Sequence, residues 1–249
     1  MNTQFTTLIF VLFTIISAGC LRINNSDNHS QTFLAQTFTP PTATQANINI
    51  MGTGAQYAIL AGSTVTNNGA STVTGSIGVN PGTEIAGTPI NQIEGEIHAG
   101  DAPGLVAQNN IITAYNNLMN HIGSIDYTGK ELGGLTLTPG VYKFNVSAAL
   151  TSGTLTLDGQ NNPDAEWIFQ VGSTLYTGIN TEVKMINGGS ALNVYWQVSS
   201  SATISDNTKM CGNIIAYASV TIKNLVQLKG RAIARIGAVT LVASTISMK

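Results

Sequence analysis

Charge is scarce in this sequence. Asp, Glu, Lys and Arg make up 9% of its 249 residues, and the formal net charge is -2. A nucleic-acid surface needs clustered Lys and Arg, so that class of function is excluded. Aromatic residues are also few, at 6%. The only cysteines are Cys20 and Cys211. With Cys20 in a cleaved or lipidated leader no disulfide forms, and stability has to come from packing. What remains is 43% hydrophobic residues and 26 glycines, with many Thr, Ser and Asn. That mixture favours short β-strands and many turns over long charged helices.

The first twenty residues, "MNTQFTTLIFVLFTIISAGC", hold an apolar run from Leu8 to Ile16 followed by small residues. This is the pattern of a secretory signal, although Lys and Arg are missing from its start. The run is too short to span a membrane comfortably. "SAGC" also resembles a lipoprotein cleavage box with Cys20 lipidated, but Ser17 stands where a larger aliphatic is usual. Simple secretion is the first expectation and attachment through lipid at Cys20 the second. Residues 21–50 are polar with a Thr-Pro cluster and read as a flexible spacer. Asn24 and Asn28 lie in N-x-S patterns that would accept glycan in a eukaryotic host. Residues 51–249 form the remaining domain.

The C-terminal half repeats. "WIFQVGSTLY" from Trp167, "VYWQVSSSATI" from Val194, "IIAYASVTI" from Ile214 and "AIARIGAVTL" from Ala232 align. Thr203, Thr221 and Thr240 share one slot, 18 and 19 residues apart. Gln197, Tyr217 and Arg235 are aligned in another, 20 and 18 residues apart. Such a period predicts a β-solenoid with three short strands per coil.

Period-2 alternation assigns faces to each strand. In the first strand of each coil Phe169, Val171, Trp196, Val198, Ala216, Ala218, Ala234 and Ile236 are expected inside. Ile168, Tyr195, Ile215 and Ile233 are expected outside, as an apolar column that needs a cover. The cover is the segment from Asp101 to Gly123. There Leu105, Ile112, Tyr115, Met119 and Ile122 recur at helical spacing, Asp101 is a suitable N-cap, Pro103 fits the first turn and Gly123 fits a stop. A helix over about 103–122 is predicted along one side of the solenoid.

In the second strand of each coil Ala202, Ile204, Val220, Ile222, Val239 and Leu241 point inward. Thr203, Thr221 and Thr240 point out, and nothing in the sequence supplies a second helix to cover them. Stacked at about 4.8 Å per coil, they form a regular ladder of stiff, β-branched side chains. The third strands, beginning "TEVKMI", "NTKMC", "LVQLK" and "STISM", complete a triangle. Earlier pieces, from Tyr57 and from Leu135, add further coils. Because the helix separates these two regions, the early coils need not stack in chain order.

These residues resemble the large microbial ice-binding proteins with a helix-flanked β-helix. The resemblance is carried by "GTGAQYAILAGSTVTNNGASTVTGSIGVNPGTEIAG", "LTPGVYKF", "LTLDG", "EWIFQVGSTL", "NVYWQV" and "GNIIAYASVTI…GRAIARIGAVTL", in order from Met51 to the C-terminus. It implies a mainly β, right-handed triangular β-helix with one long helix along one face. It also implies adsorption to ice through a flat, uncovered face. Carried over by position, that face comprises Thr66, Ala149, Tyr176, Thr203, Thr221 and Thr240, with Ala86 a weaker match. Ser147, Thr174, Ser201, Ser205 and Ser219 lie beside it. Tyr176 is bulky for the column, and Lys223 and Val242 follow Thr221 and Thr240 where small polar residues would keep the surface flat. Moderate activity is therefore expected. The implied partner is the ice crystal surface, engaged by a monomer with no cofactor, metal, nucleic acid or small-molecule substrate.

Two other classes are weighed beside this one. Many β-helices cleave acidic polysaccharides, but those need Asp clusters for calcium and a basic residue on an exposed strand. Arg235 stands alone, and "DGQNNPDAE" lacks the carboxylate spacing of a calcium loop, so a turn is expected there. An adhesive or structural cell-surface solenoid is the remaining alternative. His98 and His121 are isolated and read as surface or satisfied histidines. Cys211 reads as a small apolar residue in a third strand.

Overall fold

The computed structural model describes residues 50–249. The leader and spacer expectations, with Cys20, Asn24 and Asn28, lie outside the described residues. Ile50, placed at the end of the spacer by its sequence, packs against the cluster formed under the helix.

The strands pair in parallel and collect into three columns, so each coil has three sides. One column faces the helix. It runs through Gly140–Phe144, Trp167–Val171 and Val194–Val198, then the second halves of Lys209–Ala216 and Gln227–Ala234, then Tyr57–Ala61 and Ser76–Val79. The second column, the flat face, runs from Ala148–Leu150 to Glu84–Gly87. The third includes Thr154–Asp158, Glu182–Ile186, the first halves of Lys209–Ala216 and Gln227–Ala234, Thr245–Ser247 and Thr72–Thr74.

The coils do not stack in chain order. Tyr57–Ala61 pairs with Gln227–Ala234, so the N-terminal coils continue the stack beyond the C-terminal ones. The chain must therefore travel back along the solenoid, from Ile97–Ala99 at one end to Ile125–Asp126 at the other. The helix Ala102–Met119 makes that return. Its 18 residues cover about 27 Å at about 1.5 Å each. The helix-facing column is roughly 38 Å tall at about 4.8 Å per strand, and the link after the helix spans the rest.

The interior fills as the alternation requires. Phe169, Trp196, Val171, Val198, Ala216 and Ala234 lie in the central core, while Ile168, Tyr195, Ile215 and Ile233 pack under the helix. Phe169 and Trp196 stack with ring centroids 3.9 Å apart, a direct result of adjacent coils placing aromatics in register. Gly212 and Gly230 bend the third side into the next first side with φ of 112° and 143°. A Cβ on Gly230 would meet the Gly212 carbonyl oxygen at 2.0 Å, so only glycine fits.

Several expectations need correction. The helix ends at Met119, and Gly123 lies beyond it in the link. Its buried face is Gly104, Ala107, Gln108, Ile111, Ala114, Tyr115 and Leu118. Of the expected stripe only Tyr115 belongs to it: Leu105 and Met119 are half exposed, Ile112 is partly buried, and Ile122 is 86% exposed. Small residues define the true stripe because they let the helix axis approach the sheet. Asp101 does cap the helix, accepting from the Gly104 N–H at 3.0 Å, and Pro103 sits in the first turn. Gln197 pairs with Ile215, so it does not share the slot of Tyr217 and Arg235. Ala218 and Ile236 sit at a corner, half-buried and 56% exposed respectively, not inside.

Two glutamines fix the helix to the sheet. Gln170 donates to the carbonyls of Leu118 and His121 at 2.8 Å each, satisfying the helix's C-terminal end. Gln108 donates to the carbonyls of Ala234 and Arg235.

Candidate functional site

The flat face is one parallel sheet of seven strands. Its central outward column reads Ala149, Tyr176, Thr203, Thr221, Thr240, Thr66 and Ala86, each in register with the next. Every one of these positions was expected in the column. The sequence left open where Thr66 joins it, and the structure sets Thr66 against Thr240. Four threonines thus stack without interruption.

The inward neighbours hold this column. Leu175, Ala202, Val220, Val239, Val65, Ile204, Ile222 and Leu241 are all at most 1% exposed. Strands pinned on both sides of each outward residue keep its Cα fixed, and β-branching limits the rotamer. Among the described residues the hydroxyls of Thr66, Thr203, Thr221 and Thr240 make no protein hydrogen bond, while the side chains stay half-buried and point to solvent. The column therefore presents unused donors and acceptors beside methyl groups, at a fixed spacing.

The flanking serines and threonines behave differently. Ser147 and Thr174 hydroxyls bond each other at 2.7 Å. The Ser201 hydroxyl accepts from the Ser219 N–H at 3.4 Å. Ser205 lies on the opposite flank, its N–H donating to Thr177 Oγ1 at 2.8 Å. Beneath that edge the buried hydroxyls of Thr177, Thr181 and Thr208 cluster, with Thr208 Oγ1 3.2 Å from Thr177 Oγ1 and 3.3 Å from Thr181 Oγ1, and both Thr181 and Thr208 donate to the Gly178 carbonyl at 3.0 and 3.1 Å. These bonds consume polar groups and stiffen the border of the face.

The face has clear limits. Tyr176 projects at 43% exposure between Ala149 and Thr203. Lys223 is exposed and Val242 half-buried on the flank, as their places after Thr221 and Thr240 foretold. At the lower end Glu131 bridges to Ala149, and its carboxylate accepts from the Thr151 N–H and hydroxyl at 2.6 and 2.9 Å. Glu131 was missed from sequence because it lies outside the repeat. Thr64, paired with Glu84, was also passed over, although "STVTNN" carries it two residues before Thr66.

The other singled-out residues go to structure. His98 Nδ1 lies 2.7 Å from Asp101 Oδ2, and its Nε2 lies 3.2 Å from Glu96. Asp158 accepts from the Gln160 N–H and from Asn187 Nδ2 at 2.9 Å each, closing the turn. Cys211 is buried in the third side, and burial pushes its thiol up to about 12. Arg235 lies over the rings of Tyr115 and Tyr217, at 4.4 and 5.2 Å, where the helix meets the flat face.

The ice-binding-like family model matches residues 59–247, which include nearly all of the described solenoid. The chain belongs to this family. It is 45% identical over 206 residues to an ice-binding protein of Nostoc sp. (strain HG1), covering 82% of this chain and 76% of that one. Among solved structures, an ice-binding protein from an Antarctic biological consortium superposes with a TM-score of 0.76 at 41% identity, over 79% of this chain and 89% of that one. An ice-binding protein of the Antarctic ascomycete Antarctomyces psychrotrophicus gives 0.76 at 32% identity, over 80% and 97%. The fold of this chain is thus shared with both solved ice-binding proteins.

Proposed function

We propose that this protein adsorbs to ice through the flat face, with Thr66, Thr203, Thr221 and Thr240 at its centre. Ala149 and Tyr176 extend the column, and Ser147, Thr174, Ser201, Ser205 and Ser219 border it. The observation that carries the reading is the in-register run of four threonines whose hydroxyls have no protein partner. Membership of the family supports it.

The physics is that of a preorganised surface. Hydroxyls and methyls at fixed spacing hold water in an arrangement close to that of a crystal plane. Ordering that water in advance lowers the entropy cost of docking. Each contact is weak, and the rigid sheet makes them act together. Bound protein pins the growing front, which must bulge between attachment points, so growth and recrystallisation slow. The projecting Tyr176 ring shortens the flat part and sets moderate activity. The protein acts by adsorption, not catalysis, as a secreted monomer whose leader spans 1–20 and whose spacer spans 21–50; lipid at Cys20 would tether it to a membrane.

Thermal hysteresis and ice-recrystallisation assays on the purified protein test this. Ice crystals shaped by the protein and uptake of the protein into slowly grown ice are expected. A protein that leaves crystal shape unchanged and is rejected from the ice would be an adhesive or structural solenoid instead.

A further inference from the structure

The third side of the solenoid carries a groove that adsorption to ice does not use. Glu182 pairs with Lys209, and the two strands form no further pair after it. Beyond that point Lys209–Ala216 turns to the helix-facing column and pairs with Val194–Val198 from Asn213 onward. The segment 187–193 carries the short helical turn Ala191–Asn193, and Ala191 lines the gap. A wedge of about 430 Å³ remains.

Its lining is chemically uneven. Lys184, Lys209 and Lys229 rim it from three successive strands of the column, with Glu182 directly opposite Lys209 and Lys229 opposite Cys211, two residues further along. Met185 and Ala191, both half-buried, supply its apolar surface, and Met210 lies beneath it in the core. All three lysines are exposed, and none lies in an ion pair among the described residues. In a chain with ten Lys and Arg in all, three in one wedge are a concentration of charge with a direction.

We infer that this groove binds a carboxylate-bearing polysaccharide. Lysines staggered over three neighbouring strands suit anionic groups spaced along an extended chain. The Met185 and Ala191 surfaces suit the C–H face of a sugar ring, and Glu182 accepts from sugar hydroxyls. No aromatic residue lines the groove, so the base stacking that single-stranded nucleic acid relies on is absent there. The groove lies on a different side of the triangle from Thr203, Thr221 and Thr240, so both surfaces are open at once. A protein occupied on both sides would hold ice against an acidic extracellular matrix.

Calorimetric titration of the protein with oligogalacturonate, a neutral oligoglucoside and inorganic phosphate tests the inference. Binding of oligogalacturonate that weakens with added salt is expected, with none of the neutral sugar. Replacing Lys184, Lys209 and Lys229 together by Gln lowers the affinity by roughly tenfold or more, whereas Lys143→Gln leaves it unchanged. Thermal hysteresis of the triple variant stays at the wild-type level, which separates this site from the ice-contacting face and shows the variant folded. Absence of binding, equal binding of the neutral sugar, undiminished binding by the triple variant, or complete displacement by phosphate at the same concentration would overturn it.

Discussion

Thr66 lies in register against Thr240, joining an N-terminal strand to a C-terminal one in a single threonine column. The contact exists because the return helix lets the first coils stack beyond the last. Thr66 is therefore at the centre of the flat face, although it is far from its neighbours in sequence. Thr66→Tyr is expected to reduce thermal hysteresis as severely as Thr240→Tyr. Thr74→Tyr, a similar change on the third side, is expected to leave it intact.

Arg231 holds the N-terminal turn to the solenoid. It is 7% exposed, donates from Nε and Nη2 to the Ala55 carbonyl at 3.0 and 2.6 Å, and donates from Nη1 to Asn213 Oδ1 at 2.6 Å. Burial lowers the pKa of this guanidinium. Arg231→Met leaves the buried Asn213 Oδ1 and the half-buried Ala55 carbonyl without these donors, at a cost of roughly 2 kcal/mol. A lower melting temperature by circular dichroism, with crystal shaping retained at low temperature, is the expected result.

One corner of the solenoid repeats a left-handed residue: Asn180, Asn207, Leu225 and Ala243, with φ between 41° and 61°. Asparagine adopts this region at less strain than leucine. Leu225 is 60% exposed, so its side chain contributes little packing in return. Leu225→Asn is expected to raise stability by about 0.5–1 kcal/mol, read as a higher denaturation midpoint. A lower midpoint would show that leucine packing outweighs the backbone strain.

The helix cap gives a pH dependence of known sign. The Gly104 N–H, and then His98, hold Asp101 below its ordinary value of 3.8. A depressed carboxyl contributes stability that is present above 3.8 and lost as pH falls through its lower folded value. Asp101→Asn still caps the helix but carries no such charge. The melting-temperature advantage of the protein over this variant is expected to shrink as pH drops below 3.8.

The threonine column was legible because two independent periods agreed on it: the coil repeat of 18 and 19 residues and the strand alternation of two. Inward residues on either side confirmed the face. The helix stripe was not legible in the same way. Gly104, Ala107 and Ala114 mark a face by being small, and counting large apolar residues points to Leu105, Met119 and Ile122 on the wet side. Gln197 was misaligned by two residues: it pairs with Ile215, and the register runs on with Val198 against Ala216 and Thr203 against Thr221. Glu131 and the lysine groove arise where strands end or part, and no repeat encodes those places.

Ice adsorption through the threonine column is tested most directly by the thermal hysteresis of Thr221→Tyr. Thr221 sits between Thr203 and Thr240, so a ring there breaks the flat run at its middle. Its side chain points away from the core, so circular dichroism and melting should stay close to those of the protein. Loss of hysteresis and of crystal shaping, with the fold intact, is the predicted result. Unchanged hysteresis in a folded Thr221→Tyr protein would contradict it.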